Sequence, residues 1–149
     1  MSSINKCDIL NSSELKKLFL NSECGLLEDI HGPANGKVLF PIWFKKLDLW
    51  RGKIFHFSHQ NGLTGMNRLG VLNTEILRYR FKGSIKKSLF FDKDVIVIDH
   101  NLEFNPNWVR RYHDELVKLD DQIYLGMSYY KKSKGLEFVS YFILDFSKL

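Results

Sequence analysis

The sequence predicts an α+β chain in which a curled antiparallel β-sheet or small β-barrel is covered by two or three helices. Three observations carry this expectation. Runs rich in aromatic and β-branched residues recur along the chain, most plainly Trp50 to Ser58 and Val95 to Ile98. Short turn signals such as Lys132-Ser133-Lys134-Gly135 separate neighbouring runs in the manner of a hairpin. Two segments, near the N-terminus and after Asn105, pair helix-start residues with apolar side chains at helical spacing. A length of 149 residues, 44% of them hydrophobic, suits one domain with its own core. Residues 1–36 read as an N-terminal helix and connection, and 37–149 as a β-rich body.

Taken in order, Asn11, Ser12 and Ser13 precede Glu14 as a capping signal, and Leu15, Leu18 and Phe19 form an apolar face for a helix ending near Gly25. His31, Gly32, Pro33, Ala34 and Asn35 read as a turn-rich connection. Pro41 opens a short helix through Trp43, Phe44 and Leu47. In the strand that follows, Lys53, Phe55 and Phe57 share one face while Ile54, His56 and Ser58 share the other. Glycines make the stretch from Gln60 to Gly65 a loop. Strands are expected from Glu75 to Lys82, Ser84 to Phe91 and Val95 to Ile98. Asn105 and Pro106 are a helix start, and Trp108, Val109, Tyr112, Leu116 and Leu119 form a stripe for a helix covering the sheet. Gln122 to Lys131 and Leu136 to Phe146 complete the chain as a hairpin.

The net charge of +5 is dispersed in pairs such as Lys16/Lys17, Lys45/Lys46 and Lys86/Lys87, the pattern of a solvated surface. With no nucleic-acid motif beside it, the charge argues against a nucleic-acid partner and leaves peripheral contact with an anionic membrane open. The two cysteines, Cys7 and Cys24, make no disulfide framework, and the polar N-terminus has no apolar leader, so the expected compartment is cytoplasmic, with export by a non-cleaved signal left open. His56 and His59 point to opposite faces of a strand, and no metal or cofactor is expected. Gly62, Gly65 and Gly70 fit neither a phosphate-binding loop nor a dinucleotide fingerprint.

Chemistry concentrates in a few polar residues set among apolar ones. Asp99 ends an apolar strand, where a carboxylate needs a cation or backbone donors, and Lys53, Arg68 and Arg111 are its candidate partners. On a helix, Arg111 and Glu115 lie one turn apart toward the sheet, with Arg110 and Asp114 outside. Lys53, Asn67, Arg68, Asp99, Arg111 and Glu115 form a candidate polar centre beside an aromatic pocket. His100 joins it as a group that titrates near neutrality, and Tyr124 as a pocket phenol. The alternative is an ion-pair network tying helix to sheet.

The order Trp50-Arg51-Gly52-Lys53-Ile54-Phe55, Asn67-Arg68-Leu69, Ile98-Asp99-His100, Asp114-Glu115-Leu116 and Ile123-Tyr124-Leu125-Gly126 resembles an uncharacterised family of small bacterial proteins. That family carries a Trp-x-Gly-Lys-x-Phe strand, a Leu-Asp-Tyr strand end, an Arg-Asp-Glu helix and a Gly-Leu-Tyr-Leu-Gly strand start. The resemblance spans roughly Phe40 to Phe146, with His100 in place of Tyr, His113 in place of Arg and Gln122 in place of Gly. It implies no activity. The 12 Phe, 6 Tyr and 3 Trp on a curled, calycin-like sheet suggest a binding protein for a hydrophobic or amphipathic small molecule, lipid or fatty-acid-like. The alternatives are a small enzyme acting on a lipid-like substrate through Asp99, His100, Arg111 and Glu115, and a module for contact with a protein or anionic membrane.

Overall fold

The computed structural model describes residues 6–147. Among these residues eight strands follow one another: β1 (Gly32–Phe40), β2 (Trp50–Ser58), β3 (Gly62–Val71), β4 (Thr74–Lys87), β5 (Asp94–Asp99), β6 (Tyr112–Asp120), β7 (Ile123–Lys132) and β8 (Gly135–Asp145). Each pairs antiparallel with the next, and β8 pairs with β1, so the sheet closes into a barrel with no free edge. Helix α1 (Ser12–Asn21) lies outside the barrel, and α2 (Ile42–Leu47) bridges β1 and β2. The protein is therefore mostly β rather than α+β, with the small barrel that the strand pattern predicts. No helix among the described residues is long and apolar enough to cross a membrane.

Alternation along the strands divides the buried residues into two layers. The inner layer fills the barrel with Phe55, Phe81, Ile96, Ile98, Leu116, Tyr124 and Phe142, and Ile30 closes one end. The outer layer comprises Val95, Val97, Val117, Leu125, Met127 and Ile143, covered by Leu15 and Phe19 of α1 with Phe90 and Phe91 packed alongside. Strands β5 to β8 thus bury both faces, and this explains why their sequences lack a clean polar side. The Asn11 side chain caps α1 by accepting from the Glu14 N–H at 2.9 Å. At its other end the Lys93 ammonium donates to the carbonyls of Phe19 and Ser22 at 2.8 and 2.6 Å.

Four expectations are corrected. The turn-rich connection before Gly36 belongs to β1, whose Ala34 is an interior residue, so the β-rich body begins before residue 37. Of the expected glycine loop, Gln60 and Asn61 do lie in a turn, but Gly62 to Gly65 belong to β3: Gly65 faces the interior, where a Cβ would stand 2.4 Å from the Phe81 ring and 2.2 Å from the Ile54 carbonyl oxygen. Residues 75–91, read as two strands, form the single long strand β4 as far as Lys87, because Gly83 makes room for Leu63 inside the barrel rather than breaking the chain. The helix after Asn105 is the largest correction. Its start signal yields one turn, with the Val109 and Arg110 N–H groups donating to the Pro106 carbonyl, and the chain then extends as β6 from Tyr112.

Candidate functional site

The barrel is packed at one end and hollow at the other. Tyr124 and Phe146 fill the closed end with rings 5.7 Å apart, whereas a cavity of about 210 Å³ opens among Trp50, Tyr79, Trp108, Tyr112 and Phe142. Polar side chains on inward positions of β2, β3, β6 and β7, with His100 just beyond β5, make its floor.

Lys53 lies on the same face of β2 as Phe55 and is 1% exposed. Its ammonium stands 3.1 Å from Asp114 Oδ2, donates to Asn67 Oδ1 at 2.7 Å, and lies over the Phe81 and Trp50 rings at 4.9 and 5.8 Å from their centroids. Burial lowers the Lys53 pKa, an effect that the Asp114 charge opposes. Burial pushes Asp114 upward, but the Lys53 charge, with smaller help from His100 and Ser128, holds its carboxyl below the usual range. Removing one member of such a pair strands a buried charge and typically costs about 3 to 5 kcal/mol, whereas replacing both with apolar residues is often neutral.

Asn67 organises the floor. Lys53 has donors only, so the amide oxygen of Asn67 must face it, and the same oxygen also accepts from Trp50 Nε1 at 3.2 Å. Asn67 Nδ2 then donates to the Tyr79 carbonyl at 3.0 Å and to His100 Nε2 at 3.2 Å. His100 Nε2 is therefore an acceptor, and the neutral ring carries its proton on Nδ1. Burial, then the Lys53 charge, lowers the His100 pKa to about 4, against weaker opposite effects from Asp114, the Tyr112 backbone and Asp99. Two buried atoms at this site lack a hydrogen-bond partner: His100 Nδ1, a donor, and Asp114 Oδ1, an acceptor. The Tyr112 backbone and the Ser128 side chain act as weak hydrogen-bonding neighbours that favour the charged forms of His100 and Asp114, but neither makes a well-formed hydrogen bond to the two atoms.

A bulge aims one wall of the site. Pairing shifts between Met66 and Asn67, so Arg80 and Arg78 are the partners on β4 and Tyr79 is left between them at φ 68°. Left-handed backbone at an aromatic residue is strained, and here it turns the Tyr79 carbonyl toward Asn67 and sets the ring edge-on to Trp108 at 5.2 Å. Asn105 anchors the loop bearing Trp108, donating through Nδ2 to the carbonyls of Arg80 and His100 at 2.8 and 2.9 Å.

Of the residues expected at a polar centre, Lys53, Asn67 and His100 meet here. Asp99 does not: Ile98 points inward, so Asp99 points outward and accepts from the Asn101 N–H at 2.9 Å. Arg68 crosses Gly52 on the barrel exterior to reach the Ala34 carbonyl and pairs with Glu75 at 2.6 Å. Arg111 is exposed beyond the start of β6. Glu115 points away from the cavity into the outer layer, where it meets His113 at 2.9 Å, the Ser88 hydroxyl at 2.6 Å and the Leu89 N–H at 2.9 Å. Burial pushes its carboxyl up, but these hydrogen bonds outweigh burial and hold it low. Tyr124 lies at the closed end. The quartet Asp99, His100, Arg111 and Glu115 therefore shares no pocket. Asp114 and Trp108 are site residues that the helix reading concealed, and Tyr79 is one that a plain strand reading passed over; the signal for Asp114 was the demand of a core-facing Lys53 for a carboxylate.

No protein-family model and no curated protein matches the chain. Among solved structures it is similar to a protein from Thermomonospora curvata, with a TM-score of 0.51 and 12% identity over 97% of this chain and 93% of that one. The likeness concerns the fold alone.

Proposed function

We propose that the protein is a calycin-like binding protein for a compact amphipathic small molecule, taken up through the aromatic mouth of the barrel. The observation that carries this reading is the pairing of a mainly apolar cavity with two unpartnered polar atoms, His100 Nδ1 and Asp114 Oδ1, on its floor. Desolvated and unpaired, these atoms cost stability that a ligand pairing with them would recover; the unpartnered Tyr124 hydroxyl lies outside this cavity. The volume of about 210 Å³ lies above the roughly 150 Å³ of an engineered cavity that takes benzene and below the usual range for drug-sized ligands. It suits one ring or a short alkyl chain, and a longer acyl tail must extend through the mouth.

Native mass spectrometry of gently purified protein, followed by solvent extraction, tests the proposal. The expected result is a one-to-one complex with a co-purifying or added compact amphiphile, whose binding changes the fluorescence of Trp50 and Trp108. Absence of both a bound compound and any fluorescence response across a panel of ring compounds and short-chain amphiphiles would refute it.

A further inference from the structure

We infer that the polar end of the ligand is an uncharged group that donates one hydrogen bond and accepts another, such as a carboxamide, lactam or phenol, seated against His100 and Asp114. The inference rests on the binding role proposed above and specifies its chemistry.

The cavity lining contains one cationic side chain, Lys53, and one anionic side chain, Asp114, and these are already paired at 3.1 Å. A ligand carboxylate or phosphate would meet a lysine whose charge is matched and a carboxylate with an oxygen to spare, so the site offers an anion no net attraction. An ammonium ligand would compete with Lys53 for Asp114 and present donors to the donor at His100 Nδ1. A wholly apolar ligand would satisfy neither of the two buried atoms. An amide answers both: its carbonyl accepts from His100 Nδ1–H and its N–H donates to Asp114 Oδ1, while a phenol does the same through one oxygen.

The Asn67 network makes the donor at His100 permanent. With Nε2 occupied by the Asn67 amide, the ring cannot present an acceptor to the ligand without breaking a buried hydrogen bond. Asn67 is itself held by Lys53, Trp50 and the Tyr79 carbonyl, so the polarity of the floor follows from fixed neighbours.

The test is titration of the intact protein at neutral pH with four small-ring probes: toluene, benzamide, benzoate and benzylammonium. Benzamide is expected to bind at least about tenfold more tightly than each of the others, since one buried hydrogen bond is worth about that ratio. His100→Phe is expected to collapse the ratio of benzamide to toluene affinity. In the unsubstituted protein, benzamide and not toluene should shift the nitrogen resonance of His100 Nδ1, a readout that does not depend on the variant folding. Benzoate or benzylammonium binding as tightly as benzamide overturns the inference in favour of a charged ligand. Toluene matching benzamide overturns it too, because water then serves the polar floor equally well. Either result leaves a binding barrel standing; failure of all four probes, with no displacement of a hydrophobic dye, brings down the binding role itself.

Discussion

His100 shows how one hydrogen bond turns a common residue into a fixed donor. Its ring is 4% exposed, its Nε2 is taken by Asn67, and Lys53 is close enough for its charge to disfavour a second proton. The folded protein therefore resists protonating a group that the unfolded chain protonates near pH 6.5. The pKa is depressed, so the unfolded state binds more protons between about 6.5 and 4, and stability must fall with pH through that interval. The neutral ring's contribution is fully present above pH 6.5 and lost as pH drops toward 4. Over the whole window the shift corresponds to about 3 kcal/mol. Urea unfolding at pH 7 and pH 5 should reveal roughly 2 kcal/mol of this loss, and His100→Phe should flatten that slope. A stability constant over the interval in the unsubstituted protein would mean that the ring is accessible to solvent. Asp114 and Glu115, both held low, add acid sensitivity at still lower pH, which separates their effect from that of His100.

At the level of elements, what the sequence revealed depended on how many faces each element buries. Strand β2 was legible to its end residues, and the β7–β8 hairpin nearly so, because aromatic and β-branched runs end on clear turns there. Strand β6 was not. Its inward residues Tyr112, Asp114 and Leu116 and outward residues His113, Glu115 and Val117 are polar and apolar on both faces, because each face carries a buried charge with its own partners. Polar residues buried in this way imitate the solvent side of a helix, and Asn105-Pro106 supplied a genuine start signal that lasts only one turn. The candidate site was legible through Lys53, Asn67 and His100; Arg111 and Glu115 were misplaced by the helix reading, and Asp99 and Arg68 because the sequence does not show which face of their strands they occupy. Helix α1 was recognised from its cap, but the device at its C-terminus came from elsewhere in the chain. No basic residue occupies its last turn, and Lys93, between β4 and β5, supplies the charge to its free carbonyls. Lys93→Met should therefore destabilise the protein by about 1 kcal/mol through loss of those hydrogen bonds, yet leave ligand affinity unchanged, since α1 is separated from the cavity by the sheet. Thermal unfolding beside a benzamide titration checks both halves, and a change in affinity would show that the two layers are coupled.

For the molecule as a whole, closure of the sheet removes every edge but obliges eight strands to surround more volume than their side chains fill at one end. The closed end meets that demand with Phe55, Phe81 and Tyr124, and Gly126 lets Phe142 pack closely against β7, since a Cβ there would stand 2.2 Å from the Phe142 ring. At the open end the inward positions hold Ser128 and Ser140, residues too small to fill the space, next to a charged pair that is costly to bury. If the hollow exists for a ligand, it is maintained at the expense of stability, and filling it should reverse the exchange. Ser140→Leu places apolar volume in the cavity from β8. It is expected to raise unfolding stability by about 1 to 2 kcal/mol, the gain from burying a few methylene-sized groups after some loss to imperfect fit. The same substitution should abolish benzamide binding, because the added side chain occupies the space above the polar floor. Greater stability with affinity intact would locate the ligand elsewhere; lower stability with affinity lost would instead mean that the mouth is already packed and the hollow too rigid to accept a side chain. Only the opposing changes, measured on one variant, identify the cavity as space that the barrel keeps open.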